Sequence, residues 1–145
     1  MSDSSHPSRQ LLDRAAELIV EKRGSDVVAL EVGDLVDYMD YLLIATGRSA
    51  RQNRAIAENV IRGLKKEGHL PLSRSGLDAG EWICLDFVDV VIHLFDGETR
   101  DHYDLELLWA DGTPVELALP SVPVTAGAED DDEPYEEGVI EPPSA

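Results

Sequence analysis

Cysteine is almost absent from this 145-residue chain: Cys84 stands alone, so no disulfide can form within it. A chain without internal disulfides suits a reducing compartment, and the expected location is the cytoplasm. No apolar run approaches the roughly 18 residues that a membrane span needs. The opening MSDSSHPSRQLLDRAAELIV carries acids early and has no basic segment leading into an apolar stretch. It is read as neither a secretory signal nor a transit peptide. Bases are scarce, 12 against 30 acids for a net charge of −18. That argues against general nucleic-acid binding, which needs Lys and Arg to displace counterions from phosphates. No internal repeat, P-loop or G-x-G-x-x-G is found. Aromatic residues are only 6% of the chain, so a place where they gather is informative.

The charge that is present is unevenly placed. From Pro120 to Ala145 there are eight acids and no base. AEDDDEPYEEGVIEPPSA holds too little apolar surface to offset its ordering entropy, and a disordered, acidic, Pro-rich tail is expected over 120–145. One folded domain, 1–119, remains, with 22 acids and 12 bases. Within it, Arg48–Arg74 holds seven bases and two acids, whereas Asp78–Glu116 holds eleven acids and one base, Arg100. An acidic protein of this size suits a basic partner, such as a ribosomal or nucleic-acid-associated protein.

Periodicity supplies the elements. Leu11, Leu12, Ala15, Ala16 and Ile19 mark a first helix capped by Ser8 and stopped at Gly24. DVVALEV (26–32) and YLLIATG (41–47) read as strands separated by the loop GDLVDYMD. Ser49 and Gln52 form a capping box for a helix whose stripe, Ile56, Val60 and Leu64 with Asn53, Ala57 and Ile61, runs to about Glu67 before Gly68. HLPLSRSGLDAGE is read as a loop. Trp82–Phe87 and Val90–Phe95 form a hairpin joined at Val88-Asp89. Pairing Phe87 with Val90 gives one apolar face, Ile83, Leu85, Phe87, Val90, Ile92 and Leu94. The opposite face is mixed: Trp82, Cys84, Asp86, Val91, His93 and Phe95. Glu98–Trp109 reads as short helical segments closed at Asp111-Gly112, and PVELAL as an edge strand. The order α-β-β-α-β-β-α predicts a small mixed-sheet α/β sandwich.

Three chemistries compete. His93, Asp101, His102 and Asp104 are potential metal ligands, yet no His-x-x-x-His or Cys-x-x-Cys spacing occurs, and no metal site is expected. In ATGRSARQ, Gly47, Arg48, Ser49 and Arg51 lie at a strand-to-helix turn suited to an anion. A nucleotidyltransferase-like enzyme would add paired carboxylates for Mg²⁺, but Asp86 and Asp89 flank a turn instead of alternating on one strand. Cys84 and His93 face each other across the hairpin, although a thiol in mid-strand usually packs. The third chemistry is an interface. In DHYDLELLW (101–109), Tyr103 and Trp109 lie among acids, a composition that binds basic partners through buried rings and steering charge. Core packing is the alternative for Tyr103 and Trp109, since Tyr103, Leu107 and Leu108 are spaced for one helix face.

DYMDYLLIATGRSARQNRAIAENV, GEWICLDFVDVVIHLF and YDLELLW together resemble the ribosomal silencing factor family, RsfS, also called Iojap-related. The resemblance spans about 26–117 through a chained pattern: A-T-G-x-S-x-R, W-x-x-x-D, D-V-x-x-H-x-F and Y-x-L-E-x-L-W. It implies a nucleotidyltransferase-like fold without catalytic carboxylates, and a binding protein without cofactor instead of an enzyme. Members of that family bind the large ribosomal subunit at its basic protein numbered fourteen and block small-subunit joining, silencing translation in starvation. Carried over by motif, the partner-binding surface is Trp82, Asp86, His93, Tyr103, Asp104, Leu105 and Glu106. An aromatic face of this kind, free of its partner, is also suited to forming a homodimer.

Overall fold

The alternation of apolar side chains along 83–94 buries one face of a hairpin, and the rest of the chain is arranged around that fact. The computed structural model describes residues 7–117 and 119. The expected acidic tail therefore lies outside the described residues. Helix α1, Pro7–Glu21, turns Leu11, Leu12, Ala15, Ala16 and Ile19 inward, as their spacing requires. Ser8, expected to cap it, lies inside the first turn and is buried. Pro7 takes the position where a missing N–H is harmless. At the far end the left-handed residue is Arg23, with φ of 68°. Gly24 follows because the chain doubles back so closely that a Cβ there would lie 2.3 Å from Ile19 Cγ2.

Strand β1, Ser25–Glu31, pairs antiparallel with β2, Tyr41–Gly47, and a register irregularity between Ser25 and Val28 marks a bulge. Asp26, at that bulge, has φ of 49°. Helix α2, Ala50–Lys66, follows β2. Ser49 Oγ accepts from Gln52 N at 3.1 Å, as expected for the cap, but the Gln52 side chain reaches one residue farther back and accepts from Arg48 N at 2.6 Å. Strand β3, Ser73–Ser75, pairs with β4, Trp82–Asp86, and replaces part of the expected loop. Its Ser-Arg-Ser sequence has no apolar alternation, and it is fully exposed at the sheet edge, so periodicity could not reveal it. Strand β5, Val90–Asp96, pairs with β4 in the expected register, with Leu85 opposite Ile92 and Cys84 opposite His93.

The chain closes with α3, Gly97–Tyr103, α4, Leu105–Leu108, and β6. Strand β6 is only Thr113–Pro114, shorter than the PVELAL strand expected. The six strands lie in the order β3-β4-β5-β2-β1-β6. β2 and β5 are parallel and the other pairs antiparallel, a mixed sheet in an α/β fold. Helices α1 and α2 cover one face, sealing Ile83, Leu85, Phe87, Val90, Ile92 and Leu94 in the larger core. The other face carries a smaller core of Leu30, Val32, Met39, Leu42, Ile44, Phe95 and Leu105. No helix among the described residues is long and apolar enough to cross a membrane.

Candidate functional site

The mixed face of the hairpin is where the aromatic residues meet. Strand alternation sends Trp82, His93 and Phe95 to one side, and the turn after β5 returns α3 across the end of those strands. Trp82 lies 4.6 Å from Tyr103 and 5.0 Å from Phe95, centroid to centroid. Its indole Nε1–H donates to His93 Nδ1 at 2.9 Å. Only a neutral imidazole can accept there, so the proton of His93 belongs on Nε2. Burial acts in the same direction, pushing the His93 pKa down to about 4. His93 is thus an uncharged acceptor within a ring cluster.

The Cys84 thiol opposite it is pushed up by burial and by the nearby Asp86 charge. A depressed His and a raised Cys make a poor nucleophile and base, since catalysis requires a thiolate. The anion-suited turn before α2 is likewise occupied by structural work, since Arg48 N donates to Gln52 Oε1 and Ser49 Oγ accepts from Gln52 N. Asn53 is fully buried and its Nδ2 donates to Gly80 O at 2.8 Å, while Arg54 Nη1 donates to Asp78 O at 3.1 Å. Asp86 caps its own hairpin turn, its Oδ1 accepting from Val88 N at 2.8 Å. Asp89 is exposed within that turn, so the two carboxylates do not converge on one side of a strand. Among the described residues no cluster of three or more His, Cys, Asp or Glu is placed to hold a metal.

What holds the aromatic segment is Arg100, a residue that stands out in the sequence only as the single base in an acidic stretch. It is 9% exposed and makes four hydrogen bonds. Its guanidinium grips Glu106 in two places, at 3.0 and 2.9 Å. Its Nη1 donates to Asp26 O at the β1 bulge, at 2.6 Å, and to Thr46 Oγ1 at 2.7 Å. One side chain thereby ties α3, α4, β1 and β2 together. Glu106 is held below the usual carboxylate range by the Arg100 hydrogen bonds, and its charge is largely committed inward.

The expected surface residues therefore divide. Trp82, His93 and Tyr103 share one cluster, with Tyr103 51% exposed. Asp104 is exposed and takes a left-handed conformation, φ 49°, at the junction of α3 and α4. Asp86 lies at the far end of β4, roughly 13 Å from Trp82 at the rise of an extended strand. Leu105 is buried in the smaller core, where it anchors α4, and Trp109 packs partly buried against the same core. Two residues outside the expected set stand out: Leu107 and Leu108, 71% and 73% exposed. Their helical spacing with Tyr103 fits core packing, but Arg100 and Leu105 bind the segment to the sheet and leave these side chains facing outward.

Residues 5–139 match the family model described as ribosomal silencing factor during starvation. The chain belongs to that family. The match extends beyond 26–117 in both directions and takes in most of the acidic tail. The ribosomal silencing factor RsfS of Chromobacterium violaceum is 35% identical over 100 residues, covering 69% of this chain and 82% of that protein. The mouse protein named mitochondrial assembly of ribosomal large subunit protein 1 is 31% identical over 129 residues, 83% of this chain and 57% of that one. A crystal structure of a Chromobacterium violaceum protein superposes with a TM-score of 0.69 at 32% identity, covering 81% of this chain and 93% of that one. The α/β architecture is thus shared with experimentally solved relatives.

Proposed function

We propose that this chain is a ribosomal silencing factor of the cytoplasm, which binds the large ribosomal subunit at its basic protein numbered fourteen. By standing where the small subunit docks, it blocks subunit joining and represses translation in starvation. The observation that carries the reading is a surface with no catalytic chemistry but with the composition of a binding face. Tyr103 is exposed over a Trp82–His93 platform and among the exposed acids Asp101 and Asp104, and Leu107 and Leu108 of the next helix are exposed too, in a chain of this family. Large exposed apolar side chains rimmed by charge are the usual mark of protein interfaces. Family membership and the name of the mouse relative direct that face toward the ribosome.

Such a mechanism needs no bond chemistry. It needs affinity for one partner and bulk in the path of another, and a standard interface of roughly 1,600 Å² suffices. The acids steer encounter with a basic protein and disfavour rRNA phosphates, while the rings slow dissociation. Within the proposed set, Trp82, Tyr103 and Asp104 contact the partner. His93 and Leu105 hold the contact residues in place, Glu106 serves mainly through Arg100, and Asp86 lies at the periphery.

The test is sedimentation with purified ribosomal subunits. The wild-type chain should travel with free large subunits and reduce the yield of joined ribosomes, and Tyr103→Ala should do neither. Equal co-sedimentation of the two proteins would remove the assignment of the surface. Turnover of a nucleotide with Mg²⁺, without subunit binding, would restore the enzyme reading.

A further inference from the structure

The helix layer, on the opposite side of the sheet from the aromatic cluster, carries the chain's only concentration of positive charge. At about 100° per residue, Arg51, Arg54, Arg62, Lys65 and Lys66 of α2 fall within an arc of roughly 120°, interrupted by one acid, Glu58. Arg51, Arg62, Lys65 and Lys66 are exposed, as is Arg74 on the adjoining segment. Glu58 reaches Arg62 only at 4.0 Å, and Glu67 at the end of the helix is taken by Arg14 at 2.7 Å. Lys65, Lys66 and Arg74 make no ion pair among the described residues. In a chain of net charge −18 this stripe is a local reversal of sign.

We infer that the occupant of this stripe is the chain's own acidic segment, Glu129–Glu141. That segment contains all eight acids found after Pro120, and no base. The described chain ends on the correct side of the sheet to deliver it. Val115, Leu117 and Leu119 pack against the core beneath α1 and α2, and the Glu116 carbonyl accepts from Arg9 of α1 at 2.9 Å. From Leu119, the chain to Glu129 spans up to ~33 Å when extended, more than the ~25 Å length of α2 itself.

Tethering gives the segment an effective concentration in the millimolar range, about that of a short flexible linker, for a site that a free polyanion must reach against the field of the whole protein. The occupant is therefore intramolecular. Its consequence is to neutralise the basic stripe of α2 while leaving the acid-rimmed aromatic face open to a partner. The contact does not depend on which partner that is.

The test is zero-length carbodiimide coupling on the full chain, followed by peptide mapping. The only lysines are Lys22, Lys65 and Lys66, so the assignment is unambiguous. Carboxylates of Glu129–Glu141 should join Lys65 or Lys66 within single chains. The yield should fall at least severalfold between about 0.1 and about 1 M salt, as the screening length shortens from ~10 to ~3 Å. Coupling to Lys22 as often as to Lys65 and Lys66, or only between isotopically distinct copies, or not at all, would overturn the inference. As a second readout, changing Glu129, Asp130, Asp131, Asp132 and Glu133 to their amides should shift the backbone amide resonances of 62–66 while leaving those of Trp82 and Tyr103 in place. Unchanged resonances over 62–66 would overturn it too. So would displacement of the tail from wild-type protein by a stoichiometric single-stranded oligouridylate, since the stripe would then be a nucleic-acid surface.

Discussion

The Trp82 indole donates its N–H to His93 Nδ1 at 2.9 Å, so one ring at the centre of the proposed docking face holds its neighbour in the neutral state. Burial keeps the His93 pKa near 4 against an ordinary 6.5. The unfolded chain therefore binds a proton at His93 between those values and the folded chain does not. The stability this residue contributes is complete above pH 6.5, falls as the pH drops toward about 4, and levels off below that. With allowance for the partial exposure of the ring, the loss should be about 2 kcal/mol. His93→Gln keeps an acceptor for Trp82 but cannot titrate. Urea denaturation at pH 7 and near pH 4 should show the wild-type protein losing more stability than the variant. The many carboxylates contribute alike to both and cancel, so an equal loss in the two proteins refutes the prediction.

Arg100 is the brace of the aromatic segment. Arg100→Met removes four hydrogen bonds and leaves Asp26 O and Thr46 Oγ1 without that donor. Because Arg100 is buried and its loss leaves several acceptors without their donor, the change should destabilise the fold by about 3 kcal/mol. Glu106→Gln keeps most of the geometry and should cost only about 1 kcal/mol, because Glu106 is 40% exposed along its side chain. The two midpoints of chemical denaturation give the comparison. A larger effect for Glu106→Gln would reverse the roles assigned here.

Tyr103 and the leucines beside it should behave in the opposite way. Because Tyr103, Leu107 and Leu108 are largely exposed, Tyr103→Ala or a paired Leu107→Asp, Leu108→Asp change should alter stability by less than about 1 kcal/mol. Large-subunit affinity should fall by about 2 kcal/mol or more, the scale of an interface hot spot. Measuring thermal midpoint and subunit affinity on the same preparations separates the two effects.

Charge at Asp101 and Asp104 should act on rate. Reversing both to Lys should slow association with large subunits and flatten its dependence on ionic strength. Stopped-flow traces at several salt concentrations are the measurement, and an unchanged slope would rule out steering by these acids.

Asn53 supplies a test of the loop that leads into β4. Its fully buried side chain donates to Gly80 O, and its Oδ1 has no hydrogen-bond partner among the described residues. Asn53→Ala should destabilise by about 2 kcal/mol, the scale for leaving a buried polar group unpaired. Gly80→Ala should also be poorly tolerated. Gly80 has φ of 78°, and a Cβ there would lie 2.8 Å from Ala50 O. If Gly80→Ala melts at the wild-type temperature, the close packing of this loop on α2 is disproved.

The hairpin register is legible in the sequence because Phe87 opposite Val90 puts six apolar residues on one face, and a slip of one position scrambles them. Helices α1 and α2 are legible from stripes at helical spacing, and Ser49 from its chemistry as a cap. Strand β3 is not, since an exposed Ser-Arg-Ser edge has no pattern to detect. The motif assigns Leu105 to the surface and the structure buries it, because a motif records which residues recur together and says nothing of which way each side chain points.

Composition and periodicity by themselves determined that this is an acidic α/β domain with one wholly apolar hairpin face, and the motifs named its family, because burial period and family pattern are local properties of the chain. Only the tertiary structure decided that Trp82, His93 and Tyr103 form one cluster, and that Arg100 joins four elements. It also decided that Leu107 and Leu108 face outward. Those relationships depend on how α3 and α4 return across the sheet, and that path is set by long-range contacts, Arg100 to Asp26 and Thr46, which no local spacing encodes.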